Sequence, residues 1–212
     1  SASTKQKKQD GNYFDSFIGV DFLYDKRNQR YQTTSGFFSN YSVNMPILSD
    51  TNTLTNTYNY KVFKELYENN VSTLSILLKG ASSLSNDDIK LSERLYIPGK
   101  RLRGFESGKI GPKDGNDFIG GNYVSSINAT TTIPTLLENV QTVDVVLFAD
   151  AANIWGVDYD SSLDKSGIRS SVGIGIDWLT PVGPLTFSFA HPVTKETTDI
   201  EQTFKFNIGT SF

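Results

Sequence analysis

Residues 168–212 constrain the fold most. In 168–178 the even positions are Ile168, Ser170, Val172, Ile174, Ile176 and Trp178, and the odd ones are Arg169, Ser171, Gly173, Gly175 and Asp177. A strand sends successive side chains to opposite faces, so this run has one apolar face and one polar or empty face. The next run repeats the pattern, with Leu185, Phe187 and Phe189 against Thr186, Ser188 and Ala190. The last carries Phe204, Phe206, Ile208 and Phe212 between Thr203, Lys205, Asn207, Gly209 and Ser211. Three consecutive two-faced strands predict a sheet with lipid or core on one side and water on the other.

The rest of the chain extends the same sheet. Strands are predicted over 13–24, 31–45, 54–67 and 71–81, then 120–133 and 142–151, which with the three terminal runs makes nine. Ile18, Val20, Phe22 and Tyr24 share one face of the first, opposite Asp15, Gly19 and Asp21. Glu68-Asn69-Asn70 is a tight hairpin signal. Residues 1–12 read as a disordered polar leader and 13–212 as one domain. Across 82–118 no period persists, and so long a loop inside a domain marks function or disorder. The strands exceed the five or six residues usual in soluble sheets and follow one another as hairpins, which favours the wall of an up-and-down transmembrane β-barrel over a Greek-key sandwich. The leader lacks the apolar core of a signal peptide, so the chain reads as a piece of a longer protein.

Composition removes several classes. There is no Cys, so no disulfide scaffold or thiolate metal site is expected, and the single His191 leaves neither a His-rich metal site nor a serine triad. No metal or cofactor is expected. Net charge is −3 and the basic residues are scattered, so no nucleic-acid footprint is seen. No run approaches the ~20 apolar residues of a membrane helix, which leaves membrane strands open, since only alternate residues of such strands are apolar. Asp144, Asp150, Asp158, Asp160 and Asp164 could suggest a glycosidase or calcium site, but their spacing matches no calcium loop. Most fall in a predicted surface loop, where carboxylates are solvated. No enzymatic activity is expected.

The long loop contains Lys100-Arg101-Leu102-Arg103-Gly104-Phe105-Glu106-Ser107, then Ile110-Gly111-Pro112 and Gly120-Gly121-Asn122. This resembles the Omp85 superfamily of outer-membrane proteins (the group of BamA and the D15 surface antigens), whose hallmark is an Arg-Gly-aromatic motif in a loop folded into the barrel lumen. Further resemblances follow in order: 148–155 with its Asp150 and Trp155, 175–185 as the penultimate hairpin, 204–212 as the closing strand, and 24–27 with 34–36 upstream. Ala152 stands where the family has Gly and Thr130 where it often has Glu. Asn207 and Thr210 depart from the C-terminal pattern of many barrel substrates.

The resemblance implies the C-terminal part, about eight or nine strands, of an outer-membrane barrel in a Gram-negative bacterium. It implies a non-catalytic component that inserts other β-barrel proteins. Its partners would be outer-membrane lipids, nascent outer-membrane barrels and assembly-complex lipoproteins. Translocation-pore members of the family, of the TamA or two-partner-secretion type, share the loop motif. A soluble lipocalin-like ligand binder is the remaining alternative, and it needs the apolar faces turned inward. Taken alone, Arg103 would be an ordinary solvated charge in a basic loop. Within the family, the lumen-loop motif Leu102, Arg103, Gly104 and Phe105 is expected to seat on the inner wall. A buried guanidinium needs a partner, and Asp150 is expected to supply it, with Asp144 sharing its parity. Phe204, Phe206, Gly209 and Phe212 mark a C-terminal seam strand that offers unpaired backbone to an incoming strand. A piece this size is expected to close into a smaller barrel, pair with a second copy or remain an open sheet, its first strand being the one most readily displaced.

Overall fold

A computed structural model describes residues 7–85, 87–133, 142–181 and 183–208. Among the described residues there are thirteen strands: β1 (Asp15–Asp25), β2 (Gly36–Ser49), β3 (Thr53–Tyr67), β4 (Asn70–Ser83), β5 (Gly104–Phe105), β6 (Lys113–Asp114), β7 (Asp117–Phe118), β8 (Tyr123–Thr132), β9 (Val143–Trp155), β10 (Arg169–Thr180), β11 (Gly183–Thr194), β12 (Glu201–Gln202) and β13 (Phe204–Ile208). Nine of them form one antiparallel meander in the order β1-β2-β3-β4-β8-β9-β10-β11-β13. The two-residue strands belong to the loops. Among the described residues the sheet is open, with β1 and β13 as its edges.

The alternation holds across the register. On one face the rows Leu147–Ile174–Phe189–Phe204, Val145–Ile176–Phe187–Phe206 and Val143–Trp178–Leu185–Ile208 cross four strands. Ile174, Ile176 and Phe206 are between 40% and 44% exposed, so this greasy face points outward. Aromatic pairs reinforce the strand edge, Phe187 with Phe206 at 4.8 Å and Phe189 with Phe204 at 4.9 Å between ring centroids. The opposite face carries the rows Phe148–Gly173–Ala190, Val146–Gly175–Ser188–Lys205 and Asp144–Asp177–Thr186–Asn207. A lipocalin-like binder would need the first set inside, and that reading is overturned.

The first strand is not displaced. β1 pairs with β2 from Asp15↔Ser49 to Asp25↔Phe38 with a single register shift, because the hairpin supplies local pairing along its whole length. The β3–β4 turn is as tight as its sequence requires, with Asn69 at φ 59° in the left-handed region that Asn tolerates. The leader is described from residue 7 onward, where Gln9 accepts a hydrogen bond from the Leu91 N–H at 2.9 Å.

The core sits between the 84–122 loop and the inner wall, at the end of the sheet where β4 finishes and β8 starts (the crown end). Ile89, Leu95, Ile97, Leu102, Phe105 and Ile110 from the loop pack on Ala81, Val124, Ala152 and Ile154 from β4, β8 and β9. Each fully buried side chain of this size contributes ~1.5–3 kcal/mol. The loop is therefore ordered by its own apolar residues, and it includes β5, β6, β7 and a 3-10 turn at Leu91–Glu93.

Candidate functional site

The loop descends to residues 99–105, where its turn touches the wall. Leu102 and Phe105 are fully buried. Between them Gly104 has φ +91°, and a Cβ there would lie 3.2 Å from the Ala190 Cβ and 3.3 Å from the Ser171 Cβ. Glycine is required twice over, for the left-handed backbone and for the close approach.

Arg103 and Asp150 stand together. The guanidinium donates from Nε to Asp150 Oδ2 and from Nη2 to Oδ1, both at 2.7 Å, and the Arg103 backbone N–H adds a third bond to Oδ2 at 3.1 Å. Asn128 Nδ2 donates to Asp150 Oδ1 at 2.9 Å and to the Arg101 carbonyl at 2.8 Å. The carboxylate thus accepts four bonds in a planar, bidentate arrangement suited to arginine. Two features went unseen in the sequence. Phe148 lies under the guanidinium, its ring centroid 3.4 Å from Cζ. Its ring fits a hollow left by glycine: a Cβ on Gly173 would come within 2.4 Å of Phe148 Cζ. The parity of β9 signalled that Phe148 faces the same way as Asp150, two residues apart. Ser171 Oγ then donates to the Arg103 carbonyl at 2.5 Å.

Arg101 reaches further, donating to Asn59 Oδ1 at 2.6 Å, to Asn128 Oδ1 at 3.2 Å and to Ser75 Oγ. One loop turn therefore bridges β3, β4, β8, β9 and β10 through side chains. On β13, Lys205 Nζ donates to the carbonyls of Gly99 at 3.2 Å and Phe105 at 3.1 Å.

The remaining expected residues fall elsewhere. Asp144 faces inward, as Asp150 does, but it lies six residues along β9, opposite Asp177 and away from the loop. Parity fixes a face and not a height, so Asp144 does not partner Arg103. It lines a cavity of about 500 Å³ with Arg27, Lys61, Asp177 and Thr186, where the 26–35 turn comes over the concave side. Phe204 and Phe206 point outward, while Gly209 and Phe212 lie outside the described residues.

Asp158 is engaged rather than simply solvated. It pairs with Arg94 and accepts from the Ile89 N–H at 2.8 Å and from Asn122 Nδ2 at 3.2 Å. Burial pushes its carboxyl up, but the Ile89 N–H, Arg94 and Asn122 outweigh that and hold it below the usual range. Asp160 caps the 3-10 turn at Ser161–Leu163, and Asp164 accepts from the Gly156 N–H at 3.0 Å. Arg169 and Asp199 form a fully buried pair at 2.9 Å, with Gly111 N–H also donating to Asp199 at 3.2 Å. The acidic residues are thus dispersed among separate partners instead of facing one cleft.

A family model described as the Omp85 superfamily domain matches residues 1–212. The outer membrane protein assembly factor BamA of Neisseria meningitidis serogroup B is 31% identical over 174 residues, covering 66% of this chain and 22% of that protein. A SAM50-like protein of Schizosaccharomyces pombe is 28% identical over 150 residues, covering 66% of this chain and 31% of that one. The crystal structure of BamA from Haemophilus ducreyi lacking POTRA domains 1-3 superposes with a TM-score of 0.82 at 25% identity, over 90% of this chain and 41% of that one. The chain spans less than a third of the length of these two curated relatives.

Proposed function

The chain belongs to the Omp85 superfamily, and from that premise we propose that it forms wall strands and the lumen loop of an outer-membrane insertase, a protein that helps other β-barrels enter the outer membrane of a Gram-negative bacterium. The reading rests on one observation above the others: a long loop is fixed inside the wall by the Arg103–Asp150 pair while the last strand stays at a sheet edge. An open edge in hydrocarbon is very unfavourable, so both edges need partners. One is met by further strands of the whole protein, in keeping with the greater length of the relatives. The edge of β13 then serves as a weakly held seam whose backbone groups template an incoming strand.

On this reading no covalent bond is made or broken, and the protein works as a non-catalytic scaffold. Its partners are lipids at the outward Ile174, Ile176 and Phe206, and nascent barrel proteins at β13. Accessory lipoproteins would bind elsewhere on the whole protein. The test places a photo-crosslinking residue at Phe206 of the whole protein in cells. Capture of nascent outer-membrane barrel proteins is expected. Capture of lipid alone while such barrels are being assembled removes the seam from the proposal.

A further inference from the structure

Lys205 is the one charged side chain on the inward face of β13. It is buried, and its ammonium donates to two backbone carbonyls, those of Gly99 and Phe105. These carbonyls flank the turn that carries Arg103, so the ammonium closes a ring around residues 99–105. The row it belongs to leaves room for the long side chain, because Gly175 has none and Ser188 has a short one. The contact continues above it. Gln202 pairs with Gly104 and Glu201 with Phe105. The Glu106 N–H donates to the Ile200 carbonyl at 2.8 Å and the Ile200 N–H to the Lys109 carbonyl at 3.1 Å. The segment entering the last strand and the inserted loop are therefore zipped together by backbone and by Asp199, which accepts from the Gly111 N–H, with Lys205 as the side-chain fastening on β13 itself.

We propose that Lys205 is a positioning residue that couples the seating of the inserted loop to the position of the last strand. The loop is held on its other side by Asp150. Whatever loosens that grip loosens β13 as well, and whatever pulls β13 away unseats the loop, because a coupling free energy acts equally in both directions. The inference rests on the proposal that β13 is the working seam only for its consequence in barrel assembly; the coupling itself does not depend on it.

The experiment is hydrogen exchange on the whole protein in lipid discs, comparing native, Lys205→Met, Lys205→Arg, Asp150→Asn and Lys205→Met/Asp150→Asn. Methionine keeps the length and removes the donors, and arginine keeps donors at that point. Expected in Lys205→Met is exchange about tenfold faster in 204–208 and in 99–111 together, with β3, β4 and β8 unchanged. Lys205→Arg stays close to native. Asp150→Asn accelerates 204–208 at a distance, and the double variant adds less than the two single changes combined. The coupling is overturned if 204–208 and the loop respond independently, if exchange rises uniformly over the wall, or if Lys205→Met matches native. Barrel assembly measured on the same variants reads the other premise. Coupled exchange with unchanged assembly leaves the coupling standing and removes the seam.

Discussion

Replacing Asp150 by Asn tests the loop seat directly. The carboxylate accepts Nε, Nη2 and the backbone N–H of Arg103 together with Asn128 Nδ2. An amide in its place turns one acceptor into a donor aimed at other donors, and leaves a guanidinium that is 11% exposed without a counter-charge. Breaking a buried pair in this way costs ~3–5 kcal/mol. The face of Phe148 still attracts the cation, worth up to about 2 kcal/mol in a desolvated site, so the lower end of that range is expected. At 1.4 kcal/mol per factor of ten, the unseated population rises about a hundredfold. Trypsin reads this population, since Lys100, Arg101, Arg103 and Lys109 all lie in the loop and cleavage of a rapidly reclosing segment follows the fraction open. Cleavage about a hundredfold faster is expected in Asp150→Asn. In Arg103→Met/Asp150→Asn the rate should fall back toward native, because no bare charge remains. A single variant within about threefold of native, or a double variant worse than both singles, refutes the reasoning.

Other perturbations follow from the same geometry. Gly104→Ala forces a Cβ against Ala190 and Ser171 at φ +91°, and should destabilise the loop by ~1–3 kcal/mol, seen as a matching rise in the same cleavage rate. Ile174→Arg places a charge on the outward face and should cost ~2–4 kcal/mol near mid-membrane, lowering the fraction folded into liposomes, whereas Thr186→Arg on the inward face should fold nearly as native. Asp158 has a folded pKa below its ordinary 3.8, so its contribution is complete above that value and is lost as pH falls through the depressed one. Exchange at residues 89–95 should therefore rise in acid, and Asp158→Asn should flatten that rise while weakening the crown end at neutral pH.

The wall was legible because two-residue alternation is dictated by strand geometry and by having different media on the two faces. β10, β11 and β13 follow their parity except at the bulge where Ser170 meets Thr194. What alternation does not encode is the height at which a loop lands. Asp144 and Asp150 are equivalent by parity, and only the reach of residues 99–105 separates them. Phe148, an apolar residue on the inward face, departs from a wholly wet interior for the same reason, since the Arg103 guanidinium brought by the loop lies on its ring. Asn59, Ser75 and Asn128 looked like any inward polar residues until Arg101 was seen to reach them. Lys205 did leave a signal: it is a lone inward cation in the closing strand, with no acidic residue opposite it in the pattern.

The apolar cluster of Ile89, Leu95, Leu102, Phe105 and Ile154 gathers at the crown end, whereas Lys61, Asp144, Asp177 and Asn207 occupy the other. The two ends therefore answer to different solvent variables. Chilling weakens the drive that packs oily groups together, so it acts on the first. Added electrolyte shortens the range over which charges feel one another, so it acts on the second. A cold bath should thus soften the crown end, while a brine acts at the other, where Asp144 faces Asp177 and screening eases their repulsion.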